Sequence, residues 1–264
     1  MLKDEWLDMV NSHIKTYIFM GLITLVSGLT LSYSYSALKK LTEENIKFDI
    51  QRNIIKSVGE DISSMTKDEI LNNYSSNITE IILDKNLNTV DNISFQQLVG
   101  YEDKKSGTTY FINKIDKIKF SGIEDKEKDE TVIKYLPLFY HSQREIYVFP
   151  ISGKGLWSTL FGFLALDKDK NTVKGITFYK HKETPGLGGE VDKKWFQKNF
   201  VGKKIFNSNK DLVSIKVMKG SASMLSMDKQ IHAVDGITGA TVTSNGLTDF
   251  LLTDLIRYEG FLRR

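Results

Sequence analysis

The chain contains no cysteine. That absence excludes disulfides, cysteine-ligated iron–sulfur clusters and cysteine-ligated zinc, so redox chemistry here requires an organic cofactor or a metal held by other ligands. The four histidines, His13, His141, His181 and His232, have neither H-x-H nor H-E-x-x-H spacing, and no metal site is expected of them. Neither a G-x-G-x-x-G fingerprint nor a P-loop occurs, which removes two common ways of gripping a nucleotide. The formal charge is only +3, and the lysines lie in mixed patches with Glu and Asp. Without a basic block carrying interleaved aromatics, nucleic acid is not an expected partner.

Long apolar runs are also scarce, and a single stretch reaches membrane length. Thr16 to Leu38 carries no charge and is bounded by Lys15 and by Lys39-Lys40. At about 1.5 Å per residue it crosses a hydrocarbon core of roughly 30 Å. Its Gly, Ser and Thr suit helix packing within a membrane complex, and Tyr17, Tyr33 and Tyr35 fit an interfacial belt. The run is too long for a signal peptide and only a weak Ser34-Tyr35-Ser36 cleavage site follows it, so an uncleaved anchor in the lipid bilayer is expected. Lys3 and Lys15 precede the span while Lys39, Lys40 and Lys47 follow it. Charge therefore does not orient it.

Beyond the span the chain reads as one α+β domain carrying a twisted, mainly antiparallel sheet flanked by helices. The boundaries read from the sequence are 1–15 for the N-terminal segment, 16–38 for the span, 39–130 for a stalk helix and the first part of the outer domain, and 131–264 for the remainder. Residues 39–58 continue the helix out of the membrane. Thr66-Lys-Asp-Glu69 has the form of a capping box and starts a second helix. Ile78 to Leu83 is extended, and Asn86 to Lys128 reads as a surface excursion with little core of its own. Val132–Tyr140, Glu145–Ile151, Leu160–Leu166 and Val173–Tyr179 are strand-like runs divided by turns. Lys193 to Phe200 is expected to be helical with Trp195, Phe196 and Phe200 on one face. Val213 to Met218 adds a strand. Leu247, Phe250, Leu251, Leu255 and Tyr258 mark one side of a final helix, with Thr243 or Ser244 as its N-cap.

The segment Asp235-Gly-Ile-Thr238-Gly239-Ala240-Thr241 lies just before that helix. Small residues leave space beside the Thr241 hydroxyl, and a helix start offers unpaired N–H groups and partial positive charge to a phosphate. Spacing alone equally describes an ordinary turn. Two further stretches stand out: Pro150-Ile-Ser-Gly-Lys-Gly-Leu-Trp157-Ser, and His181-Lys-Glu183-Thr184-Pro185-Gly186-Leu187-Gly188-Gly-Glu-Val-Asp-Lys-Lys-Trp195.

Together these three segments resemble the C-subunit family of the sodium-translocating NADH:quinone oxidoreductases of bacteria. The likeness runs from the membrane segment to the last helix. The related G subunit of the ferredoxin-coupled electron transport complex shares the Glu-Thr-Pro-Gly-Leu-Gly and Gly-Ala-Thr elements and is the near alternative; a non-redox, membrane-tethered binding module is the distant one.

The resemblance implies one covalent FMN per chain, joined through its phosphate to Thr241, in 131–264 as the FMN-binding part of a domain on the periplasmic side of the inner membrane. The chain would be an electron-relaying subunit of a translocase, an NADH:ubiquinone reductase that transports sodium, with the other subunits of that complex as partners. A hydroxyl is a weak nucleophile and no His or Lys adjoins Thr241, so attachment implies a separate magnesium-dependent flavin transferase with a dinucleotide flavin as donor. By the same resemblance Thr184 and Leu187, within the Pro185-Gly186 and Gly188 loop, contact the flavin ring, and Glu183 is a nearby polar group. Thr238 and Thr243, flanking Gly239 and Ala240, are candidate phosphate partners. Trp157 is read either as a wall for the ring or as a core tryptophan of a strand turn. No side chain is expected to catalyse beyond the flavin itself. Asp235 either braces the loop, is recognised by the transferase, or, most simply, makes an Asx-turn before Gly236.

Overall fold

The structure, a computed structural model, describes residues 2–115 and 134–264. Two units are distinct, residues 1–48 and 49–264. The first lies within helix α1 (Leu2–Ser57), and every large apolar side chain from Ile14 to Ile46 on it is exposed. Its uncharged stretch, Thr16 to Leu38, has nothing among the described residues of its own unit to bury against, and the helix is long and apolar enough to cross a membrane.

In the second unit the last turns of α1 are buried through Ile54 and Ile55. Helix α2 (Lys67–Asn77) begins at the capping box read from the sequence: Thr66 Oγ1 accepts from Glu69 N and Glu69 returns a carboxylate oxygen to Thr66 N. Strands β1 (Ile78–Leu83), β4 (Leu136–His141), β5 (Ile146–Lys154), β6 (Thr159–Leu166) and β7 (Val173–Lys180) form a five-stranded sheet in that order, every pair antiparallel. The expected α+β class and mainly antiparallel sheet are what the chain adopts. The expected strand at Val132 begins later, and Val132 and Ile133 lie outside the described residues.

Period-two alternation decides which side chains face which layer. Phe149 and Ile151 of β5 share a face with the register partners Leu164 and Ile176, and helix α5 (Thr241–Leu262) covers that face. Leu247, Phe250, Leu251, Leu255 and Tyr258 are all buried as expected, each contributing about 1.5–3 kcal/mol of gross burial. Tyr258 also donates its hydroxyl to the Pro137 carbonyl at 2.7 Å. The opposite face holds Phe139, Phe163 and Tyr179, with the Phe163 ring in contact with the other two. Helix and sheet approach closely where a side chain at Gly246 would collide with the Lys154 carbonyl.

Several expectations need correction. Residues 86–115 are no featureless excursion: β2 (Leu98–Glu102) and β3 (Thr109–Asn113) pair as a hairpin, and Leu98 joins Ile82 and Tyr135 in a small core of its own. Residues 116–128 of that stretch lie outside the described residues. The Lys193–Phe200 helix shrinks to α3 (Lys194–Lys198), with Phe196 and Phe200 buried but Trp195 half-exposed and donating to Glu190. The strand expected from Val213 is only β8 (Lys216–Val217), because Ser214 has φ +59°, a left-handed conformation that no strand continues through. Beyond β8 the chain makes a one-turn helix, α4 (Met227–Gln230), and returns as β9 (Ala233–Val234), parallel to β8.

Candidate functional site

Two loops with the same local architecture meet at the start of α5. Thr184-Pro185-Gly186-Leu187 closes through Leu187 N to Thr184 O at 3.1 Å, with Gly186 at φ +76°. Ile237-Thr238-Gly239-Ala240 closes through Ala240 N to Ile237 O at 3.0 Å, with Gly239 also at φ +76°. A positive φ at the third position is what a type II turn requires, and glycine adopts it without a Cβ penalty. The turns touch: a Cβ on Gly239 would lie 2.8 Å from Leu187 Cδ2.

The third element is the Gly155-Leu156-Trp157-Ser158 connection between β5 and β6. Glu183 binds it to the other two. Oε1 accepts from Trp157 N at 2.9 Å and Ser158 N at 3.0 Å, while Oε2 accepts from Leu156 N at 3.1 Å and from the Thr243 hydroxyl at 2.7 Å. Glu183 is 5% exposed and Thr243 1%. Burial pushes the Glu183 carboxyl upward, but the Thr243 hydroxyl and the three main-chain N–H groups outweigh it and hold the group below the usual carboxylate range. It is a buried anion satisfied without a cationic partner among the described residues.

Helix α5 begins at Thr241 itself. Ala240 occupies the N-cap and supplies no side-chain hydrogen bond, which corrects the expectation of Thr243 or Ser244 there. The first bond of the helix is Ser244 N to Ala240 O at 2.9 Å, so the N–H groups of Thr241, Val242 and Thr243 find no acceptor among the described residues. Thr241 is exposed, and its hydroxyl has no partner among those residues. An exposed, unencumbered hydroxyl at the positive end of a 22-residue helix suits an attached phosphate, whose charge the open N–H groups favour.

The sequence-predicted residues are brought together with different surroundings. Thr184, Pro185, Gly186, Leu187, Thr238 and Gly239 line the two turns, while Gly188 and Ala240 are buried beneath them. Trp157 is 70% exposed, so it is not a core tryptophan. Thr243, read as a phosphate partner, has its hydroxyl committed to Glu183. Asp235 makes no local Asx-turn: its Oδ1 accepts from Ala222 N at 2.6 Å and Ser221 Oγ at 3.0 Å, bracing the strand that leads to the Ile237–Ala240 turn. Sequence reasoning passed over Leu156 and Val242, both exposed apolar residues beside Trp157 and Thr241. Their signal was an aliphatic side chain next to a quoted motif residue, Leu156 before Trp157 in the β5–β6 connection and Val242 after Thr241 in the first turn of α5.

Chemically, the arrangement offers an exposed acceptor hydroxyl, an anion-favouring helix end and exposed apolar side chains from three segments. That combination fits a planar aromatic cofactor with a phosphate arm. Comparison with known proteins agrees. Residues 155–252 match the model of the FMN-binding domain family. The chain is 35% identical over 255 residues to the C subunit of the Na(+)-translocating NADH-quinone reductase of Pseudomonas aeruginosa, covering 95% of this chain and 94% of that protein. It is 34% identical to the same subunit of Vibrio anguillarum, covering 93% and 92%. The crystal structure of the corresponding protein from Parabacteroides distasonis superposes with a TM-score of 0.64 at 27% identity, covering 86% of this chain and 98% of the other. With sequence and fold in accord, the chain belongs to the family of C subunits of the Na(+)-translocating NADH-quinone reductases.

Proposed function

We propose that this chain is the electron-relaying subunit of a sodium-pumping NADH:quinone oxidoreductase and that its FMN is joined by a phosphoester to Thr241. The observation that carries this reading is the placement of the Thr241 hydroxyl: exposed, unpartnered among the described residues, and at the open end of α5 where the loops carrying Trp157 and Leu187 converge. Bound there, FMN supplies reversible electron transfer. The residues of the chain do the rest. Open N–H groups of the first turn of α5 stabilise the phosphodiester charge, Leu187 and Trp157 offer apolar walls to the ring, and Thr184 contributes the rim of the same turn. The attachment is a substitution at phosphorus. The Thr241 oxygen bonds to the flavin-side phosphorus of a dinucleotide flavin, the nucleoside monophosphate leaves, and the hydroxyl proton passes to a base on a magnesium-dependent flavin transferase.

Residues 16–38 of α1 serve in this reading as a single-pass anchor in the inner membrane, with the domain from residue 49 onward on the periplasmic side and the other subunits of the complex as neighbours. A covalent link keeps the cofactor at high local concentration where dissociated FMN would be lost. The test is the intact mass of full-length protein produced with and without the transferase, followed by peptide mapping. An FMN adduct confined to the peptide containing Thr241 supports the reading, and an unmodified Thr241 in protein that retains flavin through denaturation rejects it.

A further inference from the structure

We propose that Glu183 is the positioning residue of this site, holding the Trp157 turn and the first turn of α5 at one spacing without itself contacting the cofactor. The inference rests on the reading of the site as an FMN site. A carboxylate offers about four lone-pair positions; four donors, Leu156 N, Trp157 N, Ser158 N and Thr243 Oγ1, occupy them at 2.7–3.1 Å, and a fifth, Ser158 Oγ, lies at 3.4 Å from Oε1. Nothing remains to accept a hydrogen bond from a ligand. The surroundings are built around the carboxylate from two sides: a Cβ on Gly155 would lie 2.7 Å from Oε1, and one on Gly188 would lie 2.7 Å from Oε2. Both positions therefore need glycine for the carboxylate to fit between the loops.

What the bracket controls is clearest at Trp157. Its indole is exposed and makes neither a hydrogen bond nor a ring contact among the described residues, so its position is inherited from its main chain. The N–H groups of Leu156, Trp157 and Ser158 all end on Glu183. On the other side, Thr243 is two residues beyond Thr241 in the same helical turn, so the bond from Thr243 fixes the acceptor hydroxyl relative to the same carboxylate. A group that aligns both sides of a site acts on the cofactor through them.

The test uses the full chain in flavin-free form, with Trp6→Phe and Trp195→Phe so that Trp157 is its only indole, and reads time-resolved Trp157 anisotropy. Glu183→Gln and Thr243→Val are expected to add a fast nanosecond component, whereas Thr243→Ser, which keeps the hydroxyl, is expected to restore the parent decay. If Glu183→Gln fails to fold, the Thr243 pair decides. In protein modified by the transferase, Glu183→Gln is expected to retain the adduct mass while the visible circular dichroism of the flavin diminishes. An unchanged decay in both Glu183→Gln and Thr243→Val overturns the proposal, as does a decay that Thr243→Ser loosens as much as Thr243→Val. The anisotropy is read without flavin, so its failure is distinct from failure to find an adduct on Thr241.

Discussion

Oδ2 of Asp254 accepts the amide proton of Ser152 at 2.7 Å, pinning the middle of α5 to strand β5. The other oxygen takes Arg257 Nη1 at 3.0 Å, and that guanidinium also donates to the Thr109 carbonyl and lies over the Tyr110 ring. A single buried carboxylate thus joins the last helix, the central sheet and the β2–β3 hairpin.

Burial pushes Asp254 up from an ordinary 3.8 to about 6, against the opposing pull of Arg257 and of the Ser152 amide. Because the folded state binds this proton more tightly than the unfolded chain, the associated stability is fully present below 3.8 and is lost as pH rises through about 6. At about 1.4 kcal/mol per pH unit, the loss is about 3 kcal/mol. Asp254→Asn should flatten this decline, as checked by urea unfolding at a series of pH values.

Glu183 gives the opposite slope. Its folded value lies below the ordinary 4.5, so its contribution is present above that value and disappears as pH falls through the lowered one. Glu183→Gln should remove the acid-side decline and cost about 1–3 kcal/mol at neutral pH, since amide donors that shared two charged oxygens are left with one neutral acceptor. Thermal unfolding at pH 7 and at acid pH measures both effects.

Gly188→Ala should destabilise by about 1–3 kcal/mol, the usual cost of overpacking. Its new methyl would lie 2.6 Å from Thr243 Oγ1 and 2.7 Å from Glu183 Oε2. Gly186→Ala is a useful contrast, because nothing lies within 4 Å of its added Cβ and only the φ of +76° opposes it, at about 1 kcal/mol. Denaturant midpoints separate the two.

Thr241→Ala should abolish flavin attachment, while in protein made without the transferase it should change stability by no more than about 0.5 kcal/mol, as befits an exposed residue whose side chain makes no hydrogen bond among the described residues. Thr241→Ser keeps the hydroxyl and should retain the adduct. Intact mass of protein made with the transferase and denaturant unfolding of protein made without it check the two halves of this prediction.

The parts of this molecule legible in the sequence were those set by local chemistry. The Thr66–Glu69 box, the Thr184–Leu187 turn and the apolar stripe of α5 follow from side-chain preferences over a few residues, and the alternating runs of β5 to β7 from the pleat. Long-range pairings were not legible. Asp235 reads locally as a turn residue but spends its carboxylate on Ser221 and Ala222. The 98–113 hairpin lacked a strong pattern because much of its anchorage is polar, through Thr109 to Ser152 and Glu102 to Thr159. Helix α5 starts earlier than its side chains advertise, since Thr243, the apparent cap, is drawn to Glu183 instead. The three motifs could be recognised one by one, yet the carboxylate that joins them is visible only once residues 60 positions apart come together.

Alanine at the N-cap is a poor choice for a helix standing alone, where Ser, Thr, Asp or Asn contributes about 1 kcal/mol more. At Ala240 the deficit acquires a purpose if a phosphodiester stands on the next residue: the cofactor's own anion takes over the missing cap. Modified protein should then be sturdier than unmodified protein at this end of α5, with slower amide exchange over Thr241 to Thr243. Maturation and folding would share one event, and a chain that has yet to receive its flavin would carry a loose end at the place where the modifying enzyme has to work.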